Sequence, residues 1–356
     1  MENEPFDIML QGMKIFQNAT EPIIPPAGVS RIYHYTSPRG LDGIVSSGSH
    51  GRIWASDIKC MRDRSELCYS YELIKDYIYS IEDRLHPKVK EFVVRTCKRF
   101  IKNRLDADDY VQHSEEYYLI SFSFDRDNLN LWRCYTKNQD CVGYNIGLDM
   151  DALLRHLNTH GIPVFSSGRV LYRREEQLSV LERMIEPLNA MYETRGLENA
   201  SNAEMIRRFL HDMLMVAGVF FKHPAFYDEK EYRIVIRLVR RSGEHEDAAV
   251  ARVAPRRVLI GRSFVKHAAL EALMLRRGER GHLRNKSQPE VHFREHRGFL
   301  IPYLEIPIER EAVKSIGISP AQRPDLGRYS VVRLLAARGY PFESIEVFSS
   351  SVPYMP

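Results

Sequence analysis

Glu229 and Glu231 stand two residues apart at the head of an alternating stretch that runs on through Tyr232, Arg233, Ile234, Val235, Ile236, Arg237 and Leu238. Strand side chains alternate between faces, so both carboxylates point the same way. Two carboxylates sharing one cleft push one pKa upward and suit acid–base work. Arg233 lies on the same face and opposes that rise. The plainer reading is an amphipathic surface strand, with Glu231 paired to Arg233 and the Tyr232, Ile234, Ile236, Leu238 face in the core. Two other polar pairs share the spacing: His34 with Thr36, and Ser121 with Ser123. Each pair is ordinary alone, since a strand histidine is more often a hydrogen-bonded structural residue than a ligand.

The elements that must position these residues are legible in order. Phe6, Met9, Met13 and Phe16 predict a short helix over 5–18, ended by Pro22, Pro25 and Pro26. Residues 31–36 read as an aromatic strand. Ser37-Pro38 then caps and opens a helix. A strand follows around Ile53-Trp54-Ala55, and residues 66–103 read as two helices divided at Pro87. Residues 104–116 are acidic and turn-like, and 117–124 form a strand. Short helix (131–135), strand (142–148), helix (149–158), strand (164–172) and helices over 175–193 and 202–220 lead to the paired glutamates. Beyond them, 257–261 predicts a strand and a helix follows to Arg277. The segment 299–308 reads as a strand whose two prolines make it an edge. Strand 315–319, a helix over 325–338 and strand 344–348 complete the chain.

Composition bounds the function classes. The 356 residues, 44% hydrophobic and 28% charged, are those of a globular protein with a sizeable core. The acidic N-terminus has no signal-peptide apolar core, and no run is long enough to span a membrane. Five cysteines without a Cys-x-x-Cys pair predict a reducing cytoplasm, no disulfide framework and no metal. No Walker loop or Gly-x-Gly-x-x-Gly is present. A metal nuclease would have to use Asp57, Asp63, Glu66, Glu229 and Glu231, which lack a tight His/Asp cluster. Residues 251–300 hold twelve lysines and arginines against four glutamates and no aspartate. Such a segment is either a nucleic-acid contact or a solvated surface.

Taken together, His34, Ser121-x-Ser123 and Glu229-x-Glu231 resemble the three-strand site of ADP-ribosyltransferases. His34 is similar to one branch of that superfamily, while the Ser-x-Ser and Glu-x-Glu pairs are similar to another. The Tyr33-His34-Tyr35-Thr36 start, followed by a helix and Gly48, also resembles DarT-type DNA ADP-ribosyltransferases. A resemblance over nearly the whole chain is to a bacterial family catalogued as a domain of unknown function. It rests on His34-Tyr35-Thr36, Trp54-Ala55-Ser56, Ser121-Phe122-Ser123, Trp132 to Tyr135, Phe221-Lys222-His223, Glu229 to Arg233 and Ser351-Val352-Pro353-Tyr354. The chain departs from that family at Arg62-Asp63-Arg64-Ser65-Glu66, where Asn-Asp-Pro often precedes a glutamate.

The transferase resemblance implies an α+β fold, an ADP-ribosyltransferase-like split β-sandwich with helical insertions. It would be one domain over 1–356, with 66–116 as a helical insertion and 251–356 as a C-terminal α/β extension packed on the core. It implies an NAD-consuming ADP-ribosyltransferase or NAD glycohydrolase, acting as a toxin or defence effector, with NAD as substrate and an unidentified macromolecular acceptor. Glu231 would stabilise the oxocarbenium-like state through the ribose 2′-hydroxyl, and Glu229 would orient or deprotonate the acceptor. His34 and Thr36 would hold the adenosine-side ribose, Ser121 and Ser123 would position the carboxylate, and Tyr35, Trp132 and Tyr135 would stack on the bases. All of them should then line one open cleft. The rival reading is a non-catalytic module that binds nucleic acid or protein through residues 251–300.

Overall fold

The computed structural model describes residues 4–45, 50–60, 65–102, 115–135, 142–239, 289–320 and 323–353. Among these residues ten strands form one connected sheet: β1 (Arg31–Thr36), β2 (Gly51–Asp57), β3 (Glu115–Ser123), β4 (Tyr144–Asp149), β5 (Val164–Arg169), β6 (Glu231–Val239), β7 (Val291–His296), β8 (Phe299–Ile308), β9 (Val313–Ile318) and β10 (Glu346–Ser349). The predicted mixture of helix and strand is therefore present, with the strands joined through a branch rather than split into separate sheets. β3 is the branch point. One of its edges pairs with β6 along the full strand, from Glu115 opposite Val239 to Ser123 opposite Glu231. The other edge is shared. β1 meets it at Tyr33 opposite Ser123, and β2 meets it at Ser56 opposite Leu119 and Asp57 opposite Tyr118. One arm continues through β4, β9 and β10, another through β8 and β7, and β5 lies beyond β6. Among the described strand pairs, β9 and β10 run parallel and the others antiparallel.

Alternation along β3 and β6 sets the two faces. Tyr118, Ile120 and Phe122 join Tyr232, Ile234, Ile236 and Leu238 in one apolar core, with Ile32, Ile146 and Leu148 from β1 and β4. Tyr117, Leu119 and Val235 turn the other way, into a second core made mostly of helices. These helices are α1 (Glu4–Thr20), a pair over Ser65–Ser80 and Pro87–Lys102, and a pair over Arg174–Met191 and Ala200–Phe220. Every residue from Asp212 to Phe220 is buried, as an all-round apolar helix requires. At Gly218 a Cβ would come 2.6 Å from the Tyr71 hydroxyl, so glycine is what lets those two helices approach.

This helical layer overturns the reading of β6 as a surface strand. Glu231, Arg233 and Arg237 sit on the face that the helices cover, and all three are buried. Burial of charge is tolerable only with partners. Arg237 finds Asp212 at 3.2 Å on the covering helix, and Arg208 adds a contact to the same carboxylate at 3.4 Å.

Local signals match the observed elements closely. Ser37 accepts a hydrogen bond from Gly40 N at 3.1 Å and caps the helix Pro38–Ile44. Asp149 does the same for Met150–Thr159, accepting from Ala152 N at 2.7 Å. β8 is a correction. It is not an edge, because β2 and β7 flank it. Its prolines fall where a neighbour has ended: β2 covers 303–308 and leaves out Pro302, while β7 covers 299–304 and leaves out Pro307. Their odd spacing turns the two donorless edges toward opposite neighbours, so neither interrupts a ladder. Among the described strands, β7, at the end of the basic segment, is the outermost of that arm. The strand and helix expected over 257–277, and most of the acidic turn at 104–116, lie outside the described residues. No described helix is long and apolar enough to cross a membrane.

Candidate active site around Glu229 and Glu231

The chain reaches the paired glutamates through a tight corner. Pro224 opens a short 3₁₀ helix, Pro224–Glu229, and Lys230 closes it in the left-handed region at φ 42°. β6 begins only at Glu231. Glu229 is therefore not a strand residue, and strand alternation is not what aligns the two carboxylates. The corner does so by wrapping both around Lys222. Lys222 Nζ lies 2.6 Å from Glu229 Oε2 and 2.6 Å from Glu231 Oε1. The lysine is buried, and its ammonium sits 4.8 Å from the centroid of the Phe226 ring.

The two carboxylates are held in opposite protonation tendencies. Glu231 is clasped by Arg233, whose Nε reaches Oε2 at 2.9 Å and whose Nη2 reaches Oε1 at 2.9 Å. Burial alone would raise its pKa, but Arg233 and then Lys222 outweigh burial and hold Glu231 ionised well below the usual carboxylate range. Glu229 lacks the arginine. Partial burial pushes its pKa up to about 7; Lys222 pulls against this, and the negative charge on Glu231 adds to it. Its side chain remains 29% exposed, against 8% for Glu231. Glu229 is thus the carboxyl that meets solvent, and Glu231 is the fixed charge behind it.

Ser123 and a polar loop hold this corner. The Ser123 hydroxyl donates to the Glu229 carbonyl at 2.8 Å and accepts from Asp125 N at 3.0 Å. Phe124 N donates to the Lys230 carbonyl at 2.9 Å. Asn128 accepts from the first amides of the helix Leu129–Tyr135, at 2.9 Å and 3.2 Å, and donates to the Asp228 carbonyl at 2.7 Å. The Tyr35 hydroxyl donates to the Asp125 carbonyl at 2.8 Å and accepts from Asn128 N at 3.0 Å. Trp132 packs edge-on to Tyr35 at 4.7 Å between centroids and donates to Asp127 at 2.8 Å. Tyr35 and Trp132 are both buried, so they brace the loop and offer no open ring face for stacking.

The structure separates residues that the spacing places together. Tyr33, not His34, stands opposite Ser123, which itself stands opposite Glu231. Directly opposed residues share a face, so Tyr33, Ser123 and Glu231 do so. His34 falls on the other face, its ring 5.8 Å from Phe122 in the apolar core around Ile32 and Tyr232. The expectation of one cleft holding His34 and Glu231 is corrected accordingly, and the reason is a one-residue register offset. His34 Nδ1 donates to the Ser121 carbonyl at 3.0 Å, and burial lowers its pKa. Thr36 shares that face and lies beneath the helix Pro38–Ile44, where a Cβ on Gly40 would collide with its hydroxyl. Ser121 faces the site side, opposite Arg233 in register. The Tyr135 side chain lies outside the described residues, as do Asp63 and the Glu66 side chain. Asp57 is half-buried, and desolvation pushes its pKa up to about 6 although its carboxylate accepts Lys59 N at 2.7 Å.

Residues 131–234 match the model of a family described as a protein of unknown function (DUF2971). No curated protein and no solved structure matches the chain. The DUF2971 stretch begins one residue before Trp132 and ends at the fourth residue of β6. It therefore contains Lys222, Glu229, Glu231 and Arg233, while His34, Ser121 and Ser123 lie before it. Lys222 has the best claim among functional residues that spacing arguments overlook. Its signal is the Phe221-Lys222-His223 tripeptide just ahead of Pro224, but only the folded corner shows that the ammonium turns inward. Tyr172, whose hydroxyl accepts Glu231 N at 3.0 Å, has no comparable signal.

Proposed function

We propose that the corner built from Lys222, Glu229 and Glu231 is an acid–base active site, and that its reaction is cleavage of the nicotinamide–ribose bond of NAD, with ADP-ribose passed to water or to a macromolecular acceptor. The observation that carries the acid–base reading is a pair of carboxylates whose surroundings drive their pKa values apart, with the neutral-leaning member at the surface. A carboxyl poised near neutrality is matched to deprotonating an attacking hydroxyl at physiological pH. The choice of NAD rests on the resemblance of Ser121-x-Ser123 and Glu229-x-Glu231 to ADP-ribosyltransferases. His34 contributes nothing to it from the opposite face.

The roles differ from those the resemblance implies. Glu231 is closed off by Arg233 and Lys222, so its part is electrostatic: it keeps a negative charge near a developing oxocarbenium ion and raises the pKa of Glu229. Glu229 acts as the base that aligns and deprotonates the acceptor. Ser123 acts as a positioning residue through the Glu229 carbonyl. Nicotinamide release from NAD, measured with the full chain and with Glu229→Gln, tests this reading. Loss on the order of a hundredfold or more in the variant is expected. Turnover that the variant leaves unchanged would return the corner to a structural ion-pair cluster.

One observation favours the rival, non-catalytic reading: Glu231 has both oxygens engaged and is buried, as a purely structural ion pair would be. A binding module of that kind would show no nicotinamide release and would bind nucleic acid with a steep salt dependence through residues 251–300.

A further inference from the structure

We infer that His50, His160 and Glu309 form a divalent-cation site of the zinc class, with a solvent molecule completing the coordination. The three residues come from distant parts of the chain, next to the start of β2, at the end of the helix Met150–Thr159 and just after β8. One ligand atom from each lies within 4.8 Å of the others. His50 Nδ1 is 3.1 Å from Glu309 Oε2, and His160 Nε2 is 3.3 Å from Glu309 Oε1. In a tetrahedral site with bonds of about 2.0–2.1 Å, neighbouring ligand atoms stand roughly 3.3 Å apart. Each histidine nitrogen already stands at about that distance from one oxygen of the Glu309 carboxylate, His50 from Oε2 and His160 from Oε1.

Proton placement points the same way. His160 Nδ1 lies 2.9 Å from the His156 carbonyl. A carbonyl only accepts, so Nδ1 carries the proton and donates it. In the neutral ring Nε2 then presents a lone pair, and it faces a carboxylate oxygen that also presents lone pairs. Two acceptors at 3.3 Å need something positive between them. A backbone carbonyl that fixes the tautomer of a ligating histidine is the usual outer support of a metal site. Among the described residues, no lysine or arginine is paired with Glu309.

A second cluster, Glu115, His211 and Asp212, makes the contrast. There Arg208 and Arg237 already supply the positive charge, so nothing further is called for. His50 can donate its Nδ1 proton to Glu309 as a neutral ring, so at His160 the remaining choices are a second proton or a metal ion. Imidazole nitrogens with one carboxylate oxygen suit zinc, cobalt or nickel better than magnesium or calcium. All three side chains are partly exposed, between 22% and 36%, which leaves room for a water ligand and a path for the ion. The site would tie β2, β8 and the intervening helix together at one end of the sheet. It is independent of the Glu229 corner.

The test uses the full chain, stripped with chelator and desalted, then titrated calorimetrically with Zn²⁺ and, by visible absorption, with Co²⁺. The expected result is a site whose affinity falls at least tenfold in both His160→Gln and Glu309→Gln, with a Zn²⁺-dependent rise in Tm that these variants lose. Circular dichroism identifies any variant that fails to fold. In that case His50→Gln, at a partly exposed position beside β2, supplies the comparison. Absence of binding to the wild-type chain would overturn the inference. So would binding that is unchanged in folded variants, since the ion would then sit elsewhere.

Discussion

Lys222 and Glu231, nine residues apart in sequence, meet at 2.6 Å in the buried end of β6. That ion pair turns a corner of the chain into a candidate site, because the same ammonium also reaches Glu229. Removing it exposes what it balances. Lys222→Met keeps the length of the side chain and deletes the charge, leaving two carboxylates against one arginine. A loss of about 3 kcal/mol in stability is expected, as when one partner of a buried pair is removed. Urea denaturation at neutral pH checks it; a loss below about 1 kcal/mol would show that Arg233 suffices alone.

The protonation of Glu229 should be visible in pH profiles. Its folded pKa is raised from the ordinary carboxylate range to about 7. If it serves as a base, kcat/KM for nicotinamide release should rise as pH climbs through about 7, and Glu229→Gln should remove that limb. Linkage has a definite sign as well. The folded state holds this proton more tightly than the unfolded chain. The associated stabilisation is complete below the unfolded pKa and is lost as pH rises through about 7. Tm measured across pH 4–8 should show the decline, and the glutamine variant should flatten it.

Asp212 anchors the other buried charge cluster. Burial would raise its pKa, but His211, Arg237 and Arg208 outweigh burial and hold it low. Glu115 is likewise held low by Arg237 and Arg208 against burial. These groups contribute stability that is present above the ordinary carboxylate range and disappears as pH falls through their folded pKa values. Asp212→Asn should cost about 3 kcal/mol near neutrality, because two arginines lose their shared carboxylate. The same substitution should reduce the acid sensitivity of the fold, read from circular dichroism between pH 2 and 5.

Tyr35 braces the loop that holds the Glu229 corner. Tyr35→Phe removes a hydroxyl that donates to Asp125 and accepts from Asn128. The expected cost is about 1–3 kcal/mol, since a buried donor and acceptor lose their partner. If the loop positions Glu229, nicotinamide release should fall with little change in KM. Unchanged turnover in the folded variant would limit Tyr35 to a purely structural role.

Much of the local structure was legible from sequence, and the reason is local. Ser37-Pro38 caps and opens a helix by itself, Pro87 opens another, and the aromatic alternation of residues 117–123 makes a strand wherever it is placed. Period-two spacing also identified Glu229, Glu231 and Arg233 as a charged group worth weighing. What the spacing could not supply is which surface covers a face. β6 reads as amphipathic, yet a helix from earlier in the chain buries its charged side, so an apparent surface ion pair becomes an interior one. Register was equally out of reach: pairing Tyr33 with Ser123 sends His34 to the far face, and a shift of one residue would have reversed that. The left-handed turn at Lys230 and the inward reach of Lys222 depend on the same packing. His50, His160 and Glu309 carry no motif at all, because the contact between them exists only once β2, β8 and the helix between them have docked.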